Sequence, residues 1–592
     1  MLPFDPPARR GMTEATVERA GARRRVKWGA LLGLLSVVGA VAIYAANAAH
    51  YAEMPLRIEE NEWPPMAHAI AESGKPIIEY SDGDHRVRFN PDLTVDRSPL
   101  VGAWHPPLYQ YSLAAVAVVA GDSTSNGLRA VGAIGLLAAV ALLLLISREV
   151  TPRWRLIGGV AAGLLIVHPY AIQGSVFLDI DNTIFAPLAL LAMWLAIRFA
   201  RQPGPLSATQ VLGLGGALAL VTWAKMTTTI ALVGVLVVWW LLSRRPLRRA
   251  AIEAASFVGA GAALFVSTYA AWSMATGIPF SYTFDVTFAQ KSGRLFGEWW
   301  ITDHAAHWHL RWFGAAVLLL SAVYLIDLVR NLVASRRARP LDLLFLFGVG
   351  VLFNYVLASP TDGAYQGKYA FPALAALLLP VVWLLLRKPH GRASAWQWAG
   401  AAALGVMAAA LMPDVLTNLS LYGHYGTWSF ELAVVIGTGA ALGAAWLLGR
   451  IDGDRRGFAG GTLLVVAILL VAQDVRSYRS DTSPLYPIPD TADFRVAATD
   501  LNASLGSREV VVAPKDLGFY VDGPVIEGED AFARGDELLA AAMHRHSRIA
   551  AVAQGTFGPP IGPATTAVMD KCFLDRRVIG SVTIAYRDRD CG

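Results

Sequence analysis

The chain alternates between long apolar runs and short polar segments. A helix needs about 20 apolar residues to cross a bilayer, and this rule predicts about thirteen membrane-spanning helices. The predicted spans are residues 28–49, 128–147, 156–172, 183–199, 208–223, 226–242, 251–272, 311–330, 341–358, 370–386, 396–412, 430–448 and 458–474. The pattern therefore predicts a mainly α, polytopic membrane protein.

Composition supports this prediction. Of the 592 residues, 55% are hydrophobic and only 16% are charged, whereas soluble proteins carry about a quarter charged residues. The net charge of +5 is too small to indicate nucleic-acid binding, so we expect no nucleic-acid partner.

The basic residues predict the orientation of the spans, because cytoplasmic loops are enriched in Lys and Arg. The basic clusters fall on alternate loops, at 23–27, 148–155, 198–201, 244–249, 330–339, 387–392 and 450–456. This places the N-terminal tail, residues 1–27, in the cytoplasm and the C-terminus outside. The first span then acts as a retained signal anchor.

The predicted domains are a transmembrane domain, residues 28–475, and a small outside domain, residues 476–592. The transmembrane domain has two long outside loops, 50–127 and 273–310, and the run from Leu108 to Val119 is typical of a helix that lies on the membrane surface.

Strands alternate with a helix in the C-terminal region, which predicts a small α/β fold. The predicted elements are strands at 509–513, 549–553 and 578–586, and a helix at 536–545. Cys572 and Cys591 are the only cysteines. They can form a disulfide if this end lies outside, or stay as two thiols if it does not.

Acidic side chains follow the first span directly. Glu59, Glu60 and Glu62 stand within four residues. A positioned carboxylate at a membrane surface can deprotonate a hydroxyl group. The alternative is a solvated acidic turn, so these glutamates are candidates for a general base.

Two further acids, Asp179 and Asp181, occupy a very short predicted outside loop. Carboxylates between two spans usually face a cavity. Capping of the next helix by Asp181 or Asn182 is the competing interpretation, and it would explain only one member of the pair.

Two lysines lie at predicted outer ends of spans. Lys225 separates two apolar runs with almost no loop, and Lys368 precedes another span. An ammonium group here either extends to the membrane surface or binds an anion such as a lipid phosphate.

Histidines give weaker indications. His105 precedes two prolines, which restrict the backbone, so a packing role is favoured over chemistry. His304, His307 and His309 could form a metal cluster, but nothing in their spacing preforms a coordination geometry. No metal site or cofactor is therefore predicted, although the need for a divalent metal stays open.

The order of these motifs resembles glycosyltransferase superfamily C, in particular the branch of protein O-mannosyltransferases and lipid A aminoarabinose transferases. That branch has an acidic pair after the first span, usually Asp-Glu, where this chain has Glu-Glu-Asn-Glu. The other matching residues are Ala67, Ala71, Gly74 and Pro76 of an amphipathic stretch, His105 to Tyr109 of a His-Pro-Pro-Leu-Tyr motif, Thr222 to Lys225 of a break between spans, and Lys368 to Pro372 of a basic-Tyr-x-x-Pro segment.

The resemblance implies a sugar donor on polyprenyl phosphate and inversion at the anomeric carbon, in the inner membrane of a bacterium. It implies that Glu60, or Glu59 or Glu62, is the base, with Asp181 in the catalytic set. His105, Tyr109, Asp179, Lys225, Lys368 and Tyr369 would bind substrate. The acceptor would be a hydroxyl of an envelope glycan, lipid or protein.

Two other functions fit the composition. A transporter or flippase for lipid-linked sugars would show paired broken helices in two related halves, and the sequence shows one break, near Lys225. A non-catalytic envelope assembly protein would use the outside domain for binding. Only an enzyme would depend on Glu60 for turnover.

Overall fold

The computed structural model describes most of the chain up to residue 386 and parts of the C-terminal region. The described residues are 30–31, 33–42, 44–45, 63–78, 88–89, 95–96, 99–103, 105–120, 125–167, 171, 175, 184–244, 246–286, 312–358, 366–386, 492–504, 510–513, 521, 525–527, 540, 549–554, 563–580 and 582–586.

The membrane part is built from helices. In chain order they are α1 (Gly33–Ala42), α2 (Trp63–Ser73), α3 (Leu108–Ala120), α4 (Ser125–Val150), α5 (Trp154–Val167), α6 (Ala186–Ala200), α7 (Ala208–Ala224), α8 (Met226–Ser243), α9 (Leu247–Thr276), α10 (Trp312–Ser335), α11 (Pro340–Ala358) and α12 (Gln366–Leu386).

Each predicted span up to residue 386 coincides with one of these helices. Among the described residues, three helical segments are long and apolar enough to cross a membrane: Gly127–Val150, Met226–Ser243 and Leu247–Thr276. The other apolar helices are shorter. The predicted spans after residue 390 lie outside the described residues, so the total of thirteen stays a prediction.

Local sequence sets the ends of the central helices. Ser207 and Gln210 form a capping box at the start of α7: Gln210 N–H donates to Ser207 Oγ (3.3 Å), and Ser207 N–H donates to Gln210 Oε1 (2.9 Å). This pairing satisfies two N–H groups that a helix start leaves open. Helix α9 ends at Gly277, whose φ of 76° is the left-handed conformation that glycine adopts readily.

The basic loops meet at one end of the helical bundle. Arg201 pairs with Glu149 (Nη1 to Oε2, 2.9 Å), and Arg244 Nη1 donates to the carbonyl of Gln202 (2.8 Å). These contacts join the loops that follow α4, α6 and α8. The alternation predicted from charge is therefore consistent with the structure, and the assignment of this end to the cytoplasm stays a prediction.

Helices α7 and α9 approach closely at two glycines. A Cβ at Gly215 would lie 2.9 Å from Gly261 N and 2.9 Å from Ala260 Cβ, whereas a Cβ at Gly216 would meet nothing within 4 Å. Small residues allow apolar helices to pack backbone to backbone. This crossing fixes the relative position of the two helices whose outer ends carry Trp223 and Trp272.

The substitution Gly215→Leu is expected to destabilise the protein by about 1–3 kcal/mol, because the added side chain must displace the backbone of α9. Thermal unfolding of the purified protein in detergent measures this effect. Gly216→Leu adds the same side chain one residue further along α7 and should leave the midpoint close to that of the wild type. Equal midpoints for the two variants would refute the close crossing.

The long loop 50–127, which the charge pattern predicts to lie outside, contains two small antiparallel strand pairs besides α2 and α3. Strand β1 (Ile77–Ile78) pairs with β4 (Leu100–Val101), and β2 (Arg88–Phe89) pairs with β3 (Val95–Asp96). The predicted helix from Leu108 is confirmed as α3. Its position on the membrane surface stays a prediction.

The described C-terminal residues form a five-stranded mixed sheet. Its strands are β5 (Val510–Ala513), β6 (Val525–Glu527), β7 (Ile549–Gln554), β8 (Asp575–Ile579) and β9 (Val582–Tyr586), in the spatial order β6-β5-β7-β9-β8. Helices α13 (Ala492–Ser504) and α14 (Pro563–Cys572) accompany it. The role of this region as a separate outside domain stays a prediction.

One predicted strand is corrected. The segment 578–586 is not a single strand, because β8 ends at Ile579, β9 begins at Val582, and the two strands pair antiparallel as a hairpin. Gly580 has a φ of 56°, and glycine at the first position of a two-residue turn favours a hairpin. The predicted helix 536–545 lies outside the described residues except for residue 540.

Cys572 is buried at the end of α14 and is disulfide-bonded. The sequence contains one other cysteine, Cys591, which lies outside the described residues. Of the two states considered for these thiols, the structure shows the oxidised one at Cys572.

Candidate active site

A single extended residue separates α7 from α8. Lys225 has φ −157° and ψ 100°. Its N–H donates to the carbonyl of Val221 (2.9 Å), and its carbonyl accepts from Thr229 N–H (3.3 Å) and Thr229 Oγ1 (2.7 Å). The N–H group of Lys225 thus makes the last backbone hydrogen bond of α7, and its carbonyl group accepts the first one of α8. The predicted break between two spans is confirmed.

Burial decides between the two interpretations of Lys225. The residue is only 5% exposed, and Thr228 and Thr229 beside it are buried as well. The side chain therefore does not extend to the membrane surface, and that interpretation is wrong. The start of α8 also lacks a side-chain cap. Lys225 is thus a buried cationic residue directly before the positive end of a helix dipole, a position that favours an anion.

The amphipathic stretch after the acidic cluster is α2. Its buried face includes Met66, Ala67 and Ile70. The helix ends where Gly74, with φ 74°, donates its N–H to the carbonyl of Ile70 (2.8 Å). The downstream glycine of the sequence pattern is thus a helix C-cap, since only glycine takes this conformation without strain.

The His-Pro-Pro motif forms the bend that leads into α3. Pro106 and Pro107 are buried, and His105 is half-buried. Tyr109, in the first turn of α3, is completely buried, and its ring meets the ring of Trp63 edge-on at 5.0 Å between centroids. The packing role expected for this motif is consistent with the bend. We call the contact region of Trp63, Tyr109 and the two prolines the α2–α3 corner.

The predicted catalytic acids lie outside the described residues, but the chain on either side of them is placed. Glu59, Glu60 and Glu62 precede Trp63, the first residue of α2. This acidic segment therefore joins the described structure at the α2–α3 corner.

The segment with Asp179 and Asp181 also lies outside the described residues. On one side of it, the Ser175 hydroxyl is 2.9 Å from the Tyr44 hydroxyl. On the other side, Ile184 packs against the cluster that contains the α2–α3 corner. Phe185, the residue before α6, already has helical dihedral angles (φ −62°, ψ −48°), and Asp181 and Asn182 lie outside the described residues, so capping by either of them stays an alternative.

Hydrogen bonds and aromatic contacts connect the α2–α3 corner to Lys225. The Tyr111 hydroxyl donates to the carbonyl of Gly74 (2.8 Å) and accepts from Trp272 Nε1 (3.0 Å). The ring of Trp272 lies edge-on to Trp223, with 6.1 Å between centroids. Trp223 is two residues before Lys225. Trp63, the residue that follows the predicted base segment, and Trp223, close to the predicted phosphate-binding lysine, thus belong to one connected region.

The hydroxyl of Tyr111 stays a donor at neutral pH. Burial raises the pKa of this tyrosine, and the hydrogen bond from Trp272 opposes the increase only in part. The hydroxyl group of Tyr111 therefore keeps the proton that it donates to the carbonyl of Gly74.

Lys368 and Tyr369 lie in the first turn of α12, which begins at Gln366. Their side chains are outside the part of the chain that the structure describes in detail. The expectation that Lys368 joins Lys225 at a phosphate stays a prediction.

No group of three or more His, Cys, Asp or Glu side chains in the described ranges is arranged to hold a metal ion. The histidines at 304, 307 and 309 lie outside those ranges.

Known structures resemble this chain, whereas comparisons of its sequence find no match. Neither a family model nor a curated sequence matches the chain. A structure of ArnT from Cupriavidus metallidurans bound to undecaprenyl phosphate is similar, with a TM-score of 0.58, 15% identity, and coverage of 94% of this chain and 98% of that one. The apo state of the same protein gives a TM-score of 0.54, 16% identity and the same coverage.

A third structure, the apo oligosaccharyltransferase of Archaeoglobus fulgidus, has a TM-score of 0.51 and 12% identity, and covers 89% of this chain and 69% of its own. The chain therefore shares the fold of these structures over most of its length. At identities of 12–16% this similarity shows the fold alone and leaves the substrates of the chain open. Together with the apolar helices, it identifies a multi-pass membrane protein.

Sequence reasoning missed the residues that hold this region together. Tyr111 and Trp272 are 161 positions apart, and nothing in either segment indicates the other. Tyr269 and Trp272 both pack against Trp223, and sequence reasoning singled out neither of them.

Proposed function

We propose that this protein is an inverting membrane glycosyltransferase that moves a sugar from a polyprenyl-phosphate donor to an acceptor hydroxyl outside the cytoplasm. The observation that carries the proposal is the buried Lys225 at the uncapped start of α8, in a chain whose fold matches a protein bound to undecaprenyl phosphate. A buried cation at a helix start suits a lipid phosphate.

The reaction needs a base on one side of the sugar and a positive group on the other. A carboxylate among Glu59, Glu60 and Glu62 takes the proton of the acceptor hydroxyl. The acceptor oxygen then forms a bond with the anomeric carbon as the bond from that carbon to the phosphate oxygen breaks. The electron pair leaves with the polyprenyl phosphate, and the configuration inverts.

Lys225 meets the negative charge that develops on the leaving phosphate. A fixed positive group lowers the barrier because the charge grows as the bond breaks. Lys368 is proposed as a second cation at the same phosphate. Asp181 completes the catalytic set, Asp179 orients a sugar, and His105, Tyr109 and Tyr369 shape the substrate site.

The proposed location is the inner membrane of a bacterium, with the N-terminus in the cytoplasm and the C-terminal region outside. The proposed acceptor is a glycan, lipid or protein of the envelope. The residues proposed here perform the transfer without a cofactor, and the need for a divalent metal is tested by adding a chelator to the assay.

A transfer assay tests the proposal. Purified protein in proteoliposomes receives radiolabelled polyprenyl-phosphate sugars and a membrane extract as the source of acceptor. Label that moves from the donor into a new product supports a transferase. Labelled lipid that only changes leaflet, with no new product, would instead establish a flippase, and donor that is bound and never consumed would indicate an assembly protein.

A further inference from the structure

Three consecutive carbonyl groups just before the His-Pro-Pro motif accept hydrogen bonds from distant side chains. The carbonyl of residue 101 accepts from the Tyr282 hydroxyl (3.3 Å), that of residue 102 from Gln110 Nε2 (2.9 Å), and that of residue 103 from Thr283 Oγ1 (2.6 Å). Two of these donors belong to the second long outside loop. Side-chain donors thus hold this segment at each of three consecutive carbonyl groups.

Thr283 is the centre of a continuous relay. The Tyr269 hydroxyl donates to Thr283 Oγ1 (2.6 Å), which in turn donates to the carbonyl of Ala103 (2.6 Å). All three residues are completely buried. Hydrogen bonds in series polarise one another, and burial strengthens them because water does not compete. We call this arrangement the Thr283 relay.

The Thr283 relay links the two parts of the proposed active site. Ala103 is two residues before His105, the start of the bend into α3. Tyr269 lies in the last turns of α9, where its ring packs against Trp223 (5.5 Å between centroids) and Trp272 (5.1 Å). One end of the relay is therefore at the α2–α3 corner and the other is beside the Lys225 break.

We propose that Thr283 is a positioning residue of the transfer reaction, which holds the α2–α3 corner, where the chain that carries the proposed base enters α2, at a fixed distance from Lys225. The inference rests on the proposed function. Base and phosphate cation must both reach one anomeric centre, and a displacement of about 1 Å can cost about a hundredfold in rate. Thr283 acts through the segment 101–103 and does not itself contact the reacting atoms.

Threonine offers a matched pair of variants. Thr283→Val keeps the shape of the side chain and removes the hydroxyl group, whereas Thr283→Ser keeps the hydroxyl group. In the transfer assay, Thr283→Val is expected to lower kcat by about tenfold to a hundredfold, with a smaller change in KM for the donor. Thr283→Ser should restore kcat to within about threefold of the wild type, because the relay is intact.

A double variant separates the effect of the relay on the reaction rate from its effect on the stability of the protein. Thr283→Val leaves the buried Tyr269 hydroxyl without its acceptor, which is itself destabilising. The combination of Thr283→Val with Tyr269→Phe removes that orphan group, so its thermal midpoint should return towards the wild-type value. Its kcat should stay low, because the carbonyl of Ala103 still lacks its donor.

The outcomes distinguish the inference from the proposed function. If the wild type transfers sugar and the double variant does so at the same rate, Thr283 has no positioning role. If kcat in every variant simply follows the thermal midpoint, the relay is structural only and the inference also fails. If the wild type itself transfers no sugar, the proposed function fails first.

Discussion

Replacement of Lys225 with methionine is expected to lower the rate of sugar transfer by about a hundredfold to a thousandfold, as is typical when one fixed group that stabilises developing charge is removed. Methionine has a similar length and no charge, so the packing between α7 and α8 should persist. Lys225→Arg keeps the positive charge but has a wider head group in a buried site, and an intermediate rate is expected. Initial rates at saturating donor measure the effect.

The matched control for this prediction is Lys75→Met. Lys75 is an exposed lysine in the turn after α2, so the substitution removes the same charge from the same outer region and should leave the rate unchanged. A second measurement is the binding of undecaprenyl phosphate without a sugar, which should weaken in Lys225→Met alone. Unchanged transfer and unchanged binding in Lys225→Met would show that the buried lysine serves another purpose.

The second large effect concerns the acidic cluster. Among the variants Glu59→Gln, Glu60→Gln and Glu62→Gln, we expect one to lose transfer by about a hundredfold to ten thousandfold, the usual contribution of a general base. Glutamine keeps the shape of glutamate and cannot accept the proton. We expect Glu60→Gln to be that variant. The rate of the wild type should fall as pH drops through the pKa of the base, and the inactive variant should lose this dependence.

An acid on the same loop provides the control. Glu72 is exposed at the end of α2, where it pairs with His68 (3.1 Å). The variant Glu72→Gln should transfer sugar like the wild type. If all three cluster variants stay active, deprotonation must come from another residue, and Asp181→Asn is then the next variant to examine. If all three lose folding together, the cluster is structural.

Much of the fold could be predicted from the sequence because each long apolar run indicates a membrane-spanning helix. The break at Lys225 was predictable, since two apolar runs meet there with too few residues for a loop. Gly74 was singled out only through the family resemblance, and its place at the end of α2 has a similarly local reason, since glycine caps a helix. Both features depend only on residues that are close together in the sequence, so they can be recognised without the structure.

Features that depend on distant residues were not predictable in the same way. Hydropathy could not show whether Lys225 is buried in protein or reaches the membrane surface, because both environments follow an apolar run. The hydrogen bonds of Tyr111 with Trp272 and of Thr283 with Ala103 join segments far apart in the chain. The hairpin at Gly580 was missed because two strands joined by two residues look like one long apolar strand.

The one-residue junction between α7 and α8 also determines where the chain can accept inserted residues. An added residue in a helix advances the axis by about 1.5 Å and rotates every later side chain by about 100°. At Lys225 no loop can absorb that change, so even one extra glycine would turn the whole of α8 against its neighbours. The loop of residues 201–207, by contrast, is largely exposed. Length variation, epitope tags and fluorescent labels therefore belong at that loop, while the junction has a fixed length.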